Sequence, residues 1–237
     1  MKIFTAAVAA IAAIAFFSGC NKPAVEETAP VTLVTTADTI SYLIGNDIGN
    51  SLKSVNDEVV LEVVFAGIRD RLAGKDPRFP PNQERIIMEA FSMKMQEKKM
   101  SERRGQAKKN LEESEKFLAE NGKKDGVVTT ESGLQYIVIK KGDGPVPNDS
   151  SRVSVHYEGT LLNGKVFDSS IKRGTPAVFN VSQVVKGWTE ALKLMNTGSK
   201  FKIFVPPQLG YGERGMAHDI EPNMMLIFEI ELLEIVK

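Results

Sequence analysis

Six side chains spread between Tyr157 and Phe228 limit the chemistry this chain can do: Tyr157, Phe167, Asp168, Trp188, Tyr211 and Phe228. Five are aromatic and one is an acid. Side chains along an extended segment alternate between faces. Val153, Val155 and Tyr157 therefore share one face of their segment, and Ser154, His156 and Glu158 share the other. After the tight-turn signal Asn163-Gly164, the next segment carries Phe167 and Asp168 side by side. Aromatics supplied by separate elements, with few polar groups among them, describe a dry cup better than a site for acid–base or nucleophilic work. Taken singly, Phe167, Trp188 and Phe228 would be ordinary core residues and Asp168 a turn carboxylate. His156 reads as structural and His218 as a loop residue.

Several elements must position these groups. Leu134–Ile139 is a strand, ended by the Lys141–Pro145 turn segment. Phe201, Ile203 and Val205 alternate into another strand, stopped by Pro206-Pro207. Leu226, Phe228, Ile230 and Leu232 alternate in the last strand, which puts Phe228 on the core side. Trp188, Leu192 and Met195 lie at i, i+4 and i+7, so a short helix ending before Gly198 presents Trp188 to the interior. Antiparallel strands with one short helix imply an α+β domain, the helix packed on a concave sheet face.

The runs VHYEGTLLNGKVFDSS, VVKGW, GYGERG and MLIFEIELL, in that order and spacing, resemble the FKBP-type peptidyl-prolyl cis–trans isomerases. The likeness covers about Thr130 to Lys237. It implies a half-barrel antiparallel sheet wrapped on a short helix, and catalysis of X–Pro bond rotation with neither metal nor cofactor. By resemblance, Tyr157, Asp168, Tyr211 and Phe228 are the catalytic positions. Phe167, Phe179, Val184, Val185, Trp188 and Ile220 line the substrate site, and Arg173 stands with Tyr157 as a partner of Asp168. Trp188 matches the floor under the proline ring, while the Tyr211 hydroxyl and the Val185 amide match donors to a substrate carbonyl. Two rim positions depart from many relatives: Ala177 replaces an aromatic and Met216 a histidine. The implied partners are proline-containing unfolded or nascent chains and macrolide inhibitors.

The rest of the chain surrounds that domain with other signals. Its 237 residues are 42% hydrophobic and 25% charged with a formal net charge of zero, which argues against nucleic acid. Two histidines and one cysteine exclude most zinc sites by count. Lys2 followed by the apolar run Ile3–Phe17 reads as a signal peptide over 1–19, too short to span a bilayer, which needs ~20 apolar residues. Phe17-Ser18-Gly19-Cys20 resembles a bacterial lipobox, which implies that Cys20 is the lipidated first residue of an outer-membrane lipoprotein facing the periplasm or cell surface; the alternative is ordinary secretion of a soluble periplasmic protein with an incidental cysteine. A flexible tether follows over 20–37.

Asp38 or Thr39 is expected to cap a first helix, with Gly45 and Gly49 inside it facing another helix backbone or simply weakening it. A second helix is expected over Asp57–Leu72. A third, from Gln83 to Asn121, has an apolar stripe at Ile87, Met88, Phe91 and Met95, then a stretch over 97–120 that reads as a solvated spacer. The Asn121-Gly122 cap and a linker at 123–130 lead into the isomerase domain at 131–237. A core built from so few helices over 38–122 is marginal alone. The pattern resembles the Mip-like and FkpA-like branch of the same family, which implies a homodimer formed through this region.

Overall fold

A computed structural model describes residues 31–216 and 219–236. The expected leader, Cys20, the tether as far as residue 30 and His218 lie outside the described residues. The chain divides into a unit that ends at Asp76 and a second that starts at Pro77.

The first unit contains helix α1 (Thr36–Leu52), a short 3-10 turn at Lys53–Val55 and helix α2 (Leu61–Leu72). The cap of α1 is Thr35, not Asp38 or Thr39. Its hydroxyl accepts from the Asp38 amide (3.1 Å) while the Asp38 carboxylate accepts from the Thr35 amide (2.8 Å). This reciprocal pair satisfies two orphan first-turn donors, and it moves the helix start upstream. The start of α2 moves the other way, to Leu61, because the chain turns at Lys53–Val55 and only regains helical geometry after Val60. Neither helix buries any residue. A Cβ built on Gly45 or Gly49 meets nothing within 4 Å, so the close helix approach expected at these glycines is not made within the described chain.

The second unit opens with helix α3 (Pro81–Asn121), started by Pro81 in its first turn, where the missing N–H costs nothing. At ~1.5 Å per residue it is ~60 Å long. Seven strands follow: β1 (Val128–Thr129), β2 (Gln135–Lys140), β3 (Arg152–Thr160), β4 (Val166–Ser169), β5 (Ala177–Asn180), β6 (Lys200–Val205) and β7 (Leu226–Val236). Two short helices, α4 (Ser170–Arg173) and α5 (Lys186–Leu192), sit among them. The sheet is antiparallel in the order β1-β2-β6-β7-β3-β4, with β5 also paired to β3. This is the α+β architecture expected, an antiparallel sheet closed over α5. Trp188, Ala191 and Leu192 of α5 and Met195 just beyond it are buried among Val153, Val155, Ile203, Val205, Ile230 and Leu232. The helix stops at Leu192, one turn short of the periodicity, yet Met195 still packs inward.

Two expectations need correction. The stretch 97–120 is no solvated spacer, because Asn110 and Ser114 are buried against the sheet domain, as is Asn121 at the end of α3. Its polar composition hid the contact: these side chains pack by hydrogen bonding rather than by apolar area. The linker 123–130 contains a strand, β1, whose Val128 and Thr129 pair with Tyr136 and Gln135. Gly122 is the C-cap of α3, as expected, in right-handed geometry, φ −63°. A Cβ there would lie 2.8 Å from Gln135 Nε2, the far end of a side chain that bonds the Leu118 carbonyl.

Candidate active site

Five rings from five elements meet at one end of α5. Trp188 is the hub. Its ring centroid lies 5.1 Å from Tyr157 on β3, 5.6 Å from Phe179 on β5 and 5.2 Å from Phe228 on β7, at interplanar angles of 87°, 82° and 86°. Phe167 on β4 meets Phe228 edge-on at 5.5 Å and 84°. Edge-to-face contact places a ring's positive rim on its neighbour's negative face, which contributes ~0.5–1.5 kcal/mol per pair beyond area burial. Tyr157, Trp188 and Phe228 are buried, whereas Phe167, Phe179, Val184, Val185 and Tyr211 keep part of their surface exposed. Ile220 is buried and bridged to Met216: the Met216 amide donates to the Ile220 carbonyl (2.8 Å) and the Ile220 amide to the Met216 carbonyl (3.2 Å). Trp188 Nε1 is buried without a hydrogen-bond partner. Such a donor ordinarily costs ~1–3 kcal/mol, and it marks a floor with no acceptor beneath it.

The one acid sits at the edge. Asp168 accepts from the Tyr157 hydroxyl and from Arg173 Nη1, and Arg173 Nη2 donates to Tyr157 Oη at 2.9 Å. The guanidinium also lies over the Tyr157 ring, 5.6 Å from its centroid. Burial alone would raise the Asp168 pKa, but the bonds from Tyr157 and Arg173 outweigh it and hold the carboxyl below its ordinary value. Burial, together with the bond to Asp168, pushes Tyr157 up. Burial and the nearby Asp168 charge do the same for Tyr211. At neutral pH the group is therefore a carboxylate, a guanidinium and two neutral phenols.

Local backbone features explain how these side chains converge. Along β3 and β4, Gly159 pairs with Asp168 and Thr160 with Val166, so Phe167 is the extra residue of a β-bulge. Adjacent strand residues normally face opposite ways; the bulge turns the Phe167 ring into the bowl beside Asp168. Gly159 makes room for it. A Cβ there would come within 2.7 Å of Phe167 Cζ and 2.8 Å of Phe228 Cε1. Arg173 reaches Asp168 because α4, one turn capped by the Ser169 hydroxyl and closed by Gly174 at φ +73°, folds it back over the strand. Val185 is the N-cap of α5, where backbone amides have no intrahelical acceptor. His156 lies off the bowl, its Nδ1 3.2 Å from Ser170 Oγ.

Tyr157, Phe167, Phe179, Trp188 and Phe228 meet in one ring cluster with Asp168 and Arg173 bonded at its edge, while Val184, Val185 and Tyr211 pack against the core in which Ile220 is buried. Gly159, the bulge at Phe167 and the α4 turn were not anticipated. A glycine inside the strand pattern was the available signal for Gly159, because it marks close approach of other groups.

The family described as FKBP-type peptidyl-prolyl cis-trans isomerase matches residues 144–233, and the domain described as amino terminal to such isomerases matches residues 37–138. The outer membrane protein MIP of Legionella longbeachae is 38% identical over 237 residues, which is 100% of this chain and 98% of that one. This chain belongs to the FKBP-type peptidyl-prolyl cis–trans isomerases. The FKBP-type 22 kDa isomerase of Escherichia coli K12 is 45% identical, over 84% of this chain and 98% of its own. In structure, FkpA from Escherichia coli aligns with a TM-score of 0.73 at 32% identity, covering 86% of this chain and 98% of that one. The chain is thus a peptidyl-prolyl isomerase, with the two-part organisation of helices followed by the FKBP sheet.

Two expected outcomes follow for this isomerase. Gly159→Ala would displace both Phe167 and Phe228, and kcat/KM on a prolyl tetrapeptide should fall about 10- to 100-fold, as sub-ångström to ångström misplacement of a site does. Wild-type kinetics in that variant would show that the two rings are not in the reacting site. The second concerns pH. With its folded pKa depressed, Asp168 stabilises the fold above its unfolded value, and that contribution is lost as pH falls through the folded value. Tyr157 is raised, so its contribution is present below its unfolded value and lost only as pH rises through the folded one. The kcat/KM profile should therefore be flat from about pH 5 to pH 9. A step inside that range would assign the chemistry to some other group.

Proposed function

We propose that this isomerase turns X–Pro bonds in the aromatic bowl around Trp188, on chains folding in a bacterial cell envelope, and that it works as a homodimer with chaperone activity. The supporting observation is the arrangement itself: a floor indole ringed by Tyr157, Phe179 and Phe228, with a single charged cluster at the rim. An amide resists rotation with a barrier of ~18–20 kcal/mol because nitrogen shares its lone pair with the carbonyl. The twisted transition state loses that resonance and is less dipolar. A dry, apolar lining favours it over the planar form without nucleophile or metal. In this reading the prolyl ring lies on Trp188 between Phe167, Phe179 and Phe228, with Val184 and Ile220 closing the sides. The Tyr211 hydroxyl and the Val185 amide hold the substrate carbonyls. Asp168, fixed by Arg173, orients Tyr157 and supplies fixed charge at the rim. Macrolide inhibitors would compete for the same bowl.

A proline-peptide isomerisation assay on the wild type, Asp168→Ala and Phe228→Ala tests this. Both variants should lose at least about ten-fold in kcat/KM, and a macrolide should abolish the wild-type rate. Variants as fast as wild type would remove the bowl from the mechanism. A wild-type rate no better than buffer would favour the second reading, a cradle that holds unfolded chains.

The envelope location draws support from the signal-peptide pattern of Lys2 and the apolar run Ile3–Phe17 ahead of Cys20, and from the name of the Legionella longbeachae relative, an outer membrane protein. Dimer formation draws support from the first unit. Ile40, Leu43 and Ile44 on α1, and Val63 and Phe65 on α2, are exposed, as are residues of the N-terminal part of α3 such as Ile87 and Met88. Large apolar side chains left exposed in such number mark an interface, and a second copy would cover those of α1 and α2. These are also the surfaces that the cradle reading would offer to clients. Sedimentation at micromolar protein should give a dimer, and a chain starting at residue 77 should give a monomer. A monomer for the full chain would overturn the dimer.

A further inference from the structure

We infer that the C-terminal half of α3 positions the pocket, with Asn110 and Ser114 as positioning residues that hold the loop carrying Tyr211 and Ile220. That loop joins β6 to β7, and little of it is regular structure. Its described parts fold back on themselves through the Met216–Ile220 bridge and the Asn223 amide, which donates to the Gly212 carbonyl at 2.8 Å. Asn223 adopts φ +58°, left-handed geometry that asparagine tolerates better than most non-glycine residues, and its surroundings hold it there.

Those surroundings are α3. Asn110 Nδ2 donates to the Pro222 carbonyl at 2.8 Å, and its Oδ1 is fixed from behind by Gln106 Nε2, also at 2.8 Å. The Met225 amide donates to Ser114 Oγ at 3.1 Å; the hydroxyl itself donates to the Asn110 carbonyl at 2.7 Å and lies 3.2 Å from the Asn223 carbonyl. Asn223 Nδ2 reaches the Ala107 carbonyl at 3.3 Å, and Arg103 Nη2 donates to the Arg214 carbonyl at 2.8 Å. Pro222, Asn223 and Met225 are thus bonded to one helix face, and the Arg103 bond catches the loop near Tyr211.

The helix can act as a fixed support because it is secured elsewhere. Asn121 Nδ2 donates to Gln135 Oε1 at 3.0 Å, Gln135 Nε2 donates to the Leu118 carbonyl at 2.8 Å, and Phe117 packs on Phe204 of β6 with centroids 5.8 Å apart. The β3–β4 turn abuts the same face. Asn110 and Ser114 line a small cavity, about 80 Å³, with Leu161, Leu162, Asn163 and Met225. Lys165 of that turn also pairs with Asp219 of the loop at 2.8 Å. Asn110 and Ser114 are nine-tenths or more buried on a helix whose neighbouring positions are charged and solvated. Asparagine and serine are poor helix formers, and their placement is accounted for by the loop backbone they satisfy.

This inference rests on the bowl reading for its kinetic consequence but not for its structural one. The full chain is compared with Asn110→Asp, Ser114→Ala, Ser114→Thr and Arg103→Ala. Asn110→Asp replaces a donor by an acceptor facing a carbonyl, Ser114→Ala orphans the buried Met225 amide, and Ser114→Thr keeps the hydroxyl. KM for a prolyl peptide should rise about five- to ten-fold in Asn110→Asp and Ser114→Ala, with kcat changed less than about two-fold, and Ser114→Thr should restore KM. Amide exchange should accelerate at 211–216 and 219–225 and stay unchanged in β3 and β7. Unchanged KM with unchanged exchange overturns the inference, as does exchange that rises equally through β3 and β7, because that signals general destabilisation. Faster loop exchange with wild-type KM also overturns it as a statement about the pocket, and then points away from the bowl rather than from the helix–loop contact. Arg103→Ala is exposed and removes only one bond, so it decides if the buried variants fail to fold: KM should rise about two-fold, and no rise overturns the inference.

Discussion

The contact on which the site depends is the edge-on meeting of Trp188 with Tyr157, Phe179 and Phe228. Each ring comes from a different element, so the indole links β3, β5 and β7 to α5. The three contacts also fix the tilt of each wall, because an edge-to-face pair resists rotation in a way that undirected apolar packing does not. The backbone serves that cluster. Gly187 lets α5 approach β6 so closely that a Cβ there would lie 2.6 Å from Val205 Cγ1, and Gly159 leaves its space to the rings on either side. The sheet therefore curves over a helix that it nearly touches, and the side chains at the end of that helix become a bowl.

Charge is kept to one edge of the bowl. Asp168, Arg173 and Tyr157 bond to one another, and the acid stays ionised although it is partly desolvated. A carboxylate left alone beside five rings would drift toward its neutral form. The guanidinium and phenol prevent this and leave the floor apolar. The arrangement suits a reaction in which a dipole must be lost rather than a proton moved.

Much of this was legible in the residues. Alternation in Val153–Tyr157 and Leu226–Leu232 gave the inward faces of β3 and β7, and Trp188 followed from the i, i+4, i+7 spacing. What was hidden depends on pairing across the sheet. The bulge that turns Phe167 inward is a property of the β3–β4 register, and no pattern within Lys165–Ser170 announces it. Periodicity equally failed for α3 over 97–120. Apolar periodicity detects burial by hydrophobic contact, and Asn110 and Ser114 are buried by hydrogen bonds to the backbone of a loop more than 100 positions later in the chain. The cap of α1 was misplaced by a few residues because Thr35 and Asp38 are both good capping types, and only their reciprocal bonds separate the roles.

Trp188 is the only tryptophan in the chain. The indole emission of this protein consequently arises from the floor of the bowl and from nowhere else. With its faces and edges against Tyr157, Phe179 and Phe228 and its Nε1 without a polar acceptor, the fluorophore sits in a setting that any occupant must alter. The molecule carries its own optical gauge of what enters the bowl, with no label added.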